Sequence, residues 1–113
     1  MRKTIIGLAF SALLFAPSSP VQAQQPKKVP RIVFLSVQPR SILSARFDAF
    51  RQGLRALGYE EGKNIVIDYL DSEGSQDRLP AVMAEIARRQ TDVIVTGGSQ
   101  ATRAAKEGTS TIP

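Results

Sequence analysis

An α/β architecture on a parallel sheet is predicted by three features of the sequence. Short runs rich in β-branched and aromatic residues occur at Arg31–Ser36, 64–70 (NIVIDYL) and 92–96 (DVIVT). Segments with helical patterning follow each of them. The runs begin about 30 residues apart, the length of one strand–helix–strand unit. The order is therefore β-α-β-α-β-α, and helices covering both faces of a parallel sheet bury its strands on both sides.

Each helix has its own signature. Leu43, Phe47, Phe50, Leu54 and Leu57 recur at spacings of four and three, which makes one apolar helix face and leaves Asp48, Arg51, Gln52 and Arg55 to water. Gly58 stands where a left-handed C-terminal cap is wanted, and 60–64 (EEGKN) turns the chain back. Asp77 can cap the next helix, and Pro80 is tolerable in its first turn. Leu79, Val82, Met83 and Ile86 form that helix's stripe, and Arg88 and Arg89 suit the negative end of its dipole. The third helix is expected over 99–107, ending at Gly108. It is thin in large apolar groups, with Ala101, Ala104 and Ala105. Thr111-Ile112-Pro113 reads as the approach to a fourth strand, so the 31–113 unit is expected to be a partial lobe of a longer protein.

The N-terminus reads as an export signal over residues 1–23. Arg2 and Lys3 supply a positive start, 5–16 (IIGLAFSALLFA) is uncharged and mostly apolar, and Val21-Gln22-Ala23 puts small residues at −3 and −1 of a cleavage site. The apolar run is well short of the roughly 20 residues that a membrane span needs. Residues 24–30 (QQPKKVP) read as a flexible leader. Loss of Arg2 and Lys3 with the signal lowers the formal charge from +5 to +3. The remaining charge is scattered, without the basic stripe and interleaved aromatics of a nucleic-acid binder. Cysteine and histidine are both absent. An exported chain without cysteine has no disulfides and no lipid-modified cysteine, so a soluble product without membrane insertion is expected. Without Cys or His, a transition-metal site is not expected, nor is any cofactor.

Ligands of open parallel sheets sit beyond the carboxyl ends of the strands. That rule selects three loops: 36–38, 71–74 and 97–100. The third carries Gly97-Gly98-Ser99-Gln100, where glycines allow close approach and the next amides leave a helix N-terminus, a setting for an anion such as a carboxylate. It can equally be a tight strand-to-helix turn with Ser99 as an N-cap. No dinucleotide fingerprint, phosphate loop or nucleophile elbow is present. Asp71 and Glu73 read as solvated turn carboxylates rather than an acid–base pair, and Asp68 as an edge or packing feature.

Several strings carry a family resemblance: Phe47-Asp48-Ala49-Phe50-Arg51-Gln52-Gly53-Leu54-Arg55-Ala56-Leu57-Gly58-Tyr59, Glu61-Gly62-Lys63-Asn64-Ile65, Asp77-Arg78-Leu79-Pro80, Asp92-Val93-Ile94-Val95 and Thr109-Ser110-Thr111-Ile112-Pro113. With 24–32 they resemble the ABC transporter substrate-binding protein family, of the type that includes tryptophan-binding proteins. The resemblance implies the first half of the N-terminal lobe of a type I periplasmic-binding-protein fold, with a small solute, an amino acid or similar, held between two lobes and delivered to an ABC permease. It implies that Ser36, Gln38, Gly98, Ser99 and Gln100 line the cleft, that the protein is periplasmic, and that it is not an enzyme. Members often have Ala-Gly-Thr-Pro where this chain has Thr96-Gly97-Gly98-Ser99, and family leaders often carry twin arginines where this one has Arg2-Lys3. An exported ligand-sensing domain of a signalling protein, a small secreted enzyme and a truncated remnant are the alternative readings.

Overall fold

The computed structural model describes residues 28–113; the expected signal 1–23 and all but the last residues of the leader 24–30 lie outside them. The elements run β1 Arg31–Ser36, α1 Ser44–Ala56, β2 Val66–Asp71, a 3-10 turn Gln76–Arg78, α2 Leu79–Arg88, β3 Val93–Thr96 and α3 Ser99–Gly108. The sheet is parallel, in the order β2-β1-β3. The alternation expected from the sequence is the alternation found.

Central β1 feeds two cores, because its side chains alternate between faces. Val33 and Leu35, with Val37 just beyond, meet Leu79, Met83 and Ile86 of α2 and Ala101 of α3. On the opposite face, Phe34 packs edge-on against Phe47 at 5.4 Å, lies 5.8 Å from Phe50, and stacks on Tyr69 of β2 at 5.6 Å. Phe47 closes the group on Tyr69 at 5.1 Å. Pairs of this geometry add about 0.5–1.5 kcal/mol each beyond the area they bury. This aromatic cluster holds α1 to the sheet.

Phe34 also dictates a glycine. A Cβ at Gly97 would lie 2.8 Å from Phe34 Cε1 and 3.1 Å from Cζ, and the ring is pinned by its aromatic neighbours. The α1 terminus is equally explicit. Gly58 takes φ 98°, its N–H donates to Arg55 O, and the Tyr59 N–H reaches Leu54 O, both at 3.0 Å. That is a Schellman closure, as the sequence predicts.

Four details differ from expectation. Leu57 is 75% exposed, because α1 ends at Ala56 and the closure carries Leu57 off the sheet. β2 begins at Val66 rather than Asn64. Asn64 instead locks the turn, its Oδ1 accepting from Glu60 N at 2.6 Å and its Nδ2 donating to Gly58 O at 3.1 Å. β3 begins at Val93; Asp92, just before it, accepts the Arg31 N–H on its carboxylate and donates its own N–H to Arg31 O, both at 2.8 Å. Asp77 makes no cap; it lies inside the 3-10 turn that precedes α2. Asp68, on edge strand β2, takes Arg31 at 2.6 Å and Arg89 at 3.2 Å, an edge feature as expected. At the other edge, the Ile94 N–H donates to Pro113 O at 2.9 Å, and Ile112 packs on the core.

Two predictions follow from these contacts. Gly97→Ala forces Phe34 out of its cluster and should lower unfolding stability by about 1–3 kcal/mol in urea titrations, whereas Gly53→Ala, with open space around it, should not. The Arg31 N–H bond, aided by Lys28, holds the Asp92 carboxyl below its usual range. A depressed folded value stabilises above the ordinary carboxylate range and is lost as pH falls through it. The stability gap between wild type and Asp92→Asn should therefore close on acidification from about pH 5 to pH 2.

Candidate functional site

The carboxyl ends of β1 and β3 are locked to each other before any ligand is considered. The Gly97 N–H donates to Leu35 O at 2.8 Å. Ser36 Oγ accepts the Gln38 N–H at 3.0 Å and faces Gly97 O at 3.5 Å. Loop 71–74 joins them through Ser72 N–H to Ser36 O and Gly74 N–H to Val37 O. The three loops picked out by the sequence thus form one hydrogen-bonded edge.

A shallow hollow of about 310 Å³ opens on this edge, and Ser36, Gln38, Gly98, Ser99 and Gln100 all line it. Within that set the roles separate. Ser36 is fully buried and forms the floor, its hydroxyl spent on the loop. Gln38, Gly98, Ser99 and Gln100 are exposed around the rim. Loop 71–74 stays off the lining: Asp71 Oδ1 accepts the Glu73 N–H at 2.7 Å and Glu73 pairs with Arg78 at 3.0 Å. These carboxylates are turn-forming groups, not a facing pair. Among the described residues no group of three or more metal-binding side chains occurs.

The start of α3 supplies the donors. Gly98, at φ 133°, is the N-cap, and Ser99 is the first helical residue with no capping bond from its side chain. Ser99 is thus not the cap, and no hydrogen bond of its hydroxyl occurs among the described residues. The first amides of a helix have no intrahelical acceptor, and the helix dipole makes this end positive. Thr102 Oγ1 meets Gly98 O at 2.8 Å and Thr96 Oγ1 at 2.7 Å, fixing the turn from behind.

Two contributors were not evident from sequence. Arg46 lines the hollow from the first turn of α1 and has no ion pair among the described residues; the apolar stripe marks the buried face of α1, not its flank. Tyr69 donates from its hydroxyl to Gln38 O at 2.6 Å and so anchors the β1–α1 loop. Period-two alternation in β2 could have placed it beside Phe34. Burial pushes the Tyr69 hydroxyl up from its ordinary value, with Asp71 adding to this and Ser36 and Arg40 opposing it.

The described residues thus form a three-stranded parallel sheet with the β1 and β3 loops around one hollow at its carboxyl edge. The family model "ABC transporter substrate binding protein" matches residues 31–113, and the chain belongs to that family. Similar solved structures include a conserved domain protein from Vibrio cholerae O1 biovar El Tor, with 28% identity and a TM-score of 0.70 over 76% of this chain. A ligand-free, open substrate binding protein with adhesive properties from Clostridium difficile gives 24% identity and 0.68 over 75%. An ABC domain in complex with L-Trp from Streptococcus pneumoniae gives 21% and 0.67 over 76%. In each case the matched part covers 29% of the other chain. No curated protein matches. No described helix is long and apolar enough to cross a membrane.

The loop anchor can be tested alone. Tyr69→Phe removes a donor from Gln38 O and should cost about 0.5–1.5 kcal/mol of stability. A raised folded value stabilises below the unfolded pKa and is lost as pH rises through the folded one. The wild-type advantage over Tyr69→Phe should therefore fade above about pH 10.

Proposed function

We propose that this chain supplies one wall of the solute site of an ABC importer's substrate-binding component. Residues 1–23 direct its export to the periplasm, and 31–113 form the first part of a ligand-binding lobe. The observation that carries this reading is the convergence of Gln38, Gly98, Ser99 and Gln100 on one hollow at the start of α3. Arg46 adds positive charge there. The ligand class is a small solute with a carboxylate or similar acceptor group, an amino acid among the candidates. It is held without covalent chemistry and closed over by an opposing wall. Closure favoured by the ligand then presents the loaded form to a permease.

Calorimetric titration of the intact product, recovered from the periplasm, with L-amino acids and small carboxylates tests this. One such solute should bind, and Arg46→Ala should weaken it by about tenfold, the loss of one charge-assisted contact. Folded intact product that binds none of them contradicts the reading. A recombinant chain of residues 24–113 offers one wall only, and its affinity should be no better than about millimolar.

A further inference from the structure

Cations in this lobe sort by position. Around the amino ends of the strands, Arg31 and Arg89 share Asp68, Arg88 meets Glu85 and Lys28 meets Asp92. Arg40 and Arg46, beside the β1 loop, and Arg103 and Lys106, on α3, make no ion pair among the described residues. Helix α3 connects its two cations to the hollow. Ser99 lines the hollow and also a second depression, shared with Thr102, Arg103, Lys106 and Glu107. Arg103 and Lys106 follow Ser99 by about 6 and 10 Å along the helix axis, and helical side chains lean back toward the N-terminus. Both are exposed. Across the hollow, Arg46 is part of the lining, and Arg40, two residues past Gln38, lies 4.9 Å from the Phe47 ring.

No carboxylate lines the hollow. Of the acids without an ion pair, Asp71 turns an oxygen to the Glu73 N–H, and Asp77 lines a groove of about 630 Å³ between α2 and α3. Glu107 alone shares the α3 face with Arg103 and Lys106. Positive charge is therefore in excess round the hollow, and the α3 dipole adds to it. Exposed charges act on an approaching ion across roughly 10 Å at moderate salt, without contact. A zwitterion, whose ammonium offsets its carboxylate, feels such a field weakly. We propose that Arg103 and Lys106 steer a solute of net negative charge into the hollow, acting on its approach and not on the bound complex. This rests on the capture reading and narrows it to acids whose negative charge exceeds their positive charge, small dicarboxylates and acidic amino acids among them.

The test uses the intact protein with Arg103→Gln/Lys106→Gln. Arg55→Gln/Lys63→Gln, toward the far end of α1, is the control of equal charge change. Two nitroxides of one shape, one bearing a carboxylate and one an ammonium, read the field without any solute through the relaxation of backbone amide protons. At about 10 mM salt, the anionic probe should broaden Gly98 to Ala101 more than the cationic one in wild type and in the control. That preference should fall by about half in the Arg103→Gln/Lys106→Gln protein. Stopped-flow binding of succinate and L-glutamate should show association slowed about two- to fivefold in that protein alone, with dissociation unchanged. The gap should close at about 0.5 M salt. A faster dissociation that persists in salt marks a contact rather than steering and overturns the proposal. Equal broadening by the two nitroxides, or binding of neutral amino acids in preference to these acids, overturns it as well. A wild type that binds neither acids nor neutral L-amino acids sinks the capture reading, while the nitroxide pair still decides whether Arg103 and Lys106 gather anions at the hollow.

Discussion

Phe34 and Gly97 touch across the join between β1 and β3, and the candidate site is built on that contact. The Phe34 ring holds α1 through Phe47 and Phe50, and it holds β2 through Tyr69. It comes so close to residue 97 that no side chain fits there. The third loop therefore leaves the sheet directly over the aromatic cluster, and α3 starts beside the β1 loop. Interiors at crystal-like density transmit such constraints over several residues, because no void absorbs a shift.

The two faces of the sheet divide the work. The α2–α3 face is aliphatic and closely packed, with Ile86, Leu79 and Met83 over Val33 and Leu35. The α1 face is aromatic and carries polar handles to the edge: the Tyr69 hydroxyl reaches Gln38, and Arg40 lies over the Phe47 ring at 4.9 Å. The loops at this edge are thus tied to a core by side chains whose packing is fixed elsewhere, the kind of preorganisation that the proposed capture of a solute requires. The donors at the start of α3 gain from this, since their direction depends on Gly98 and on the Thr96–Thr102 pair behind it.

Much of this was legible in the sequence because period and punctuation carry it. Runs of β-branched residues, the Leu43–Phe47–Phe50–Leu54 stripe and Gly58 report backbone conformations that these residues favour on their own. Departures arose where a side chain bonded to distant backbone. Asp92 meets the Arg31 backbone with both its carboxylate and its N–H just ahead of β3, and Asn64 closes the Glu60 turn rather than opening β2. Leu57 fell outside the stripe because the helix stopped one residue earlier. For the site, the rule that ligands sit beyond the carboxyl ends of parallel strands selected the loops, and the five residues that the family resemblance implied line one hollow. Burial of Ser36 and the approach of Arg46 depend on how layers stack, and no pattern along the chain encodes that.

Capture of a solute at the edge formed by β1, β3 and the start of α3, as proposed above, has a local signature. It can be read from backbone amide shifts in two-dimensional NMR spectra, recorded on the intact protein as its solute is added. The largest changes among residues 28–113 should fall at Gln38, Arg46 and Gly98 to Ala101, with little change at Met83, Ala87 or Ala104. Changes concentrated along the α2–α3 groove, with the Gly98 to Ala101 amides unmoved, would contradict it.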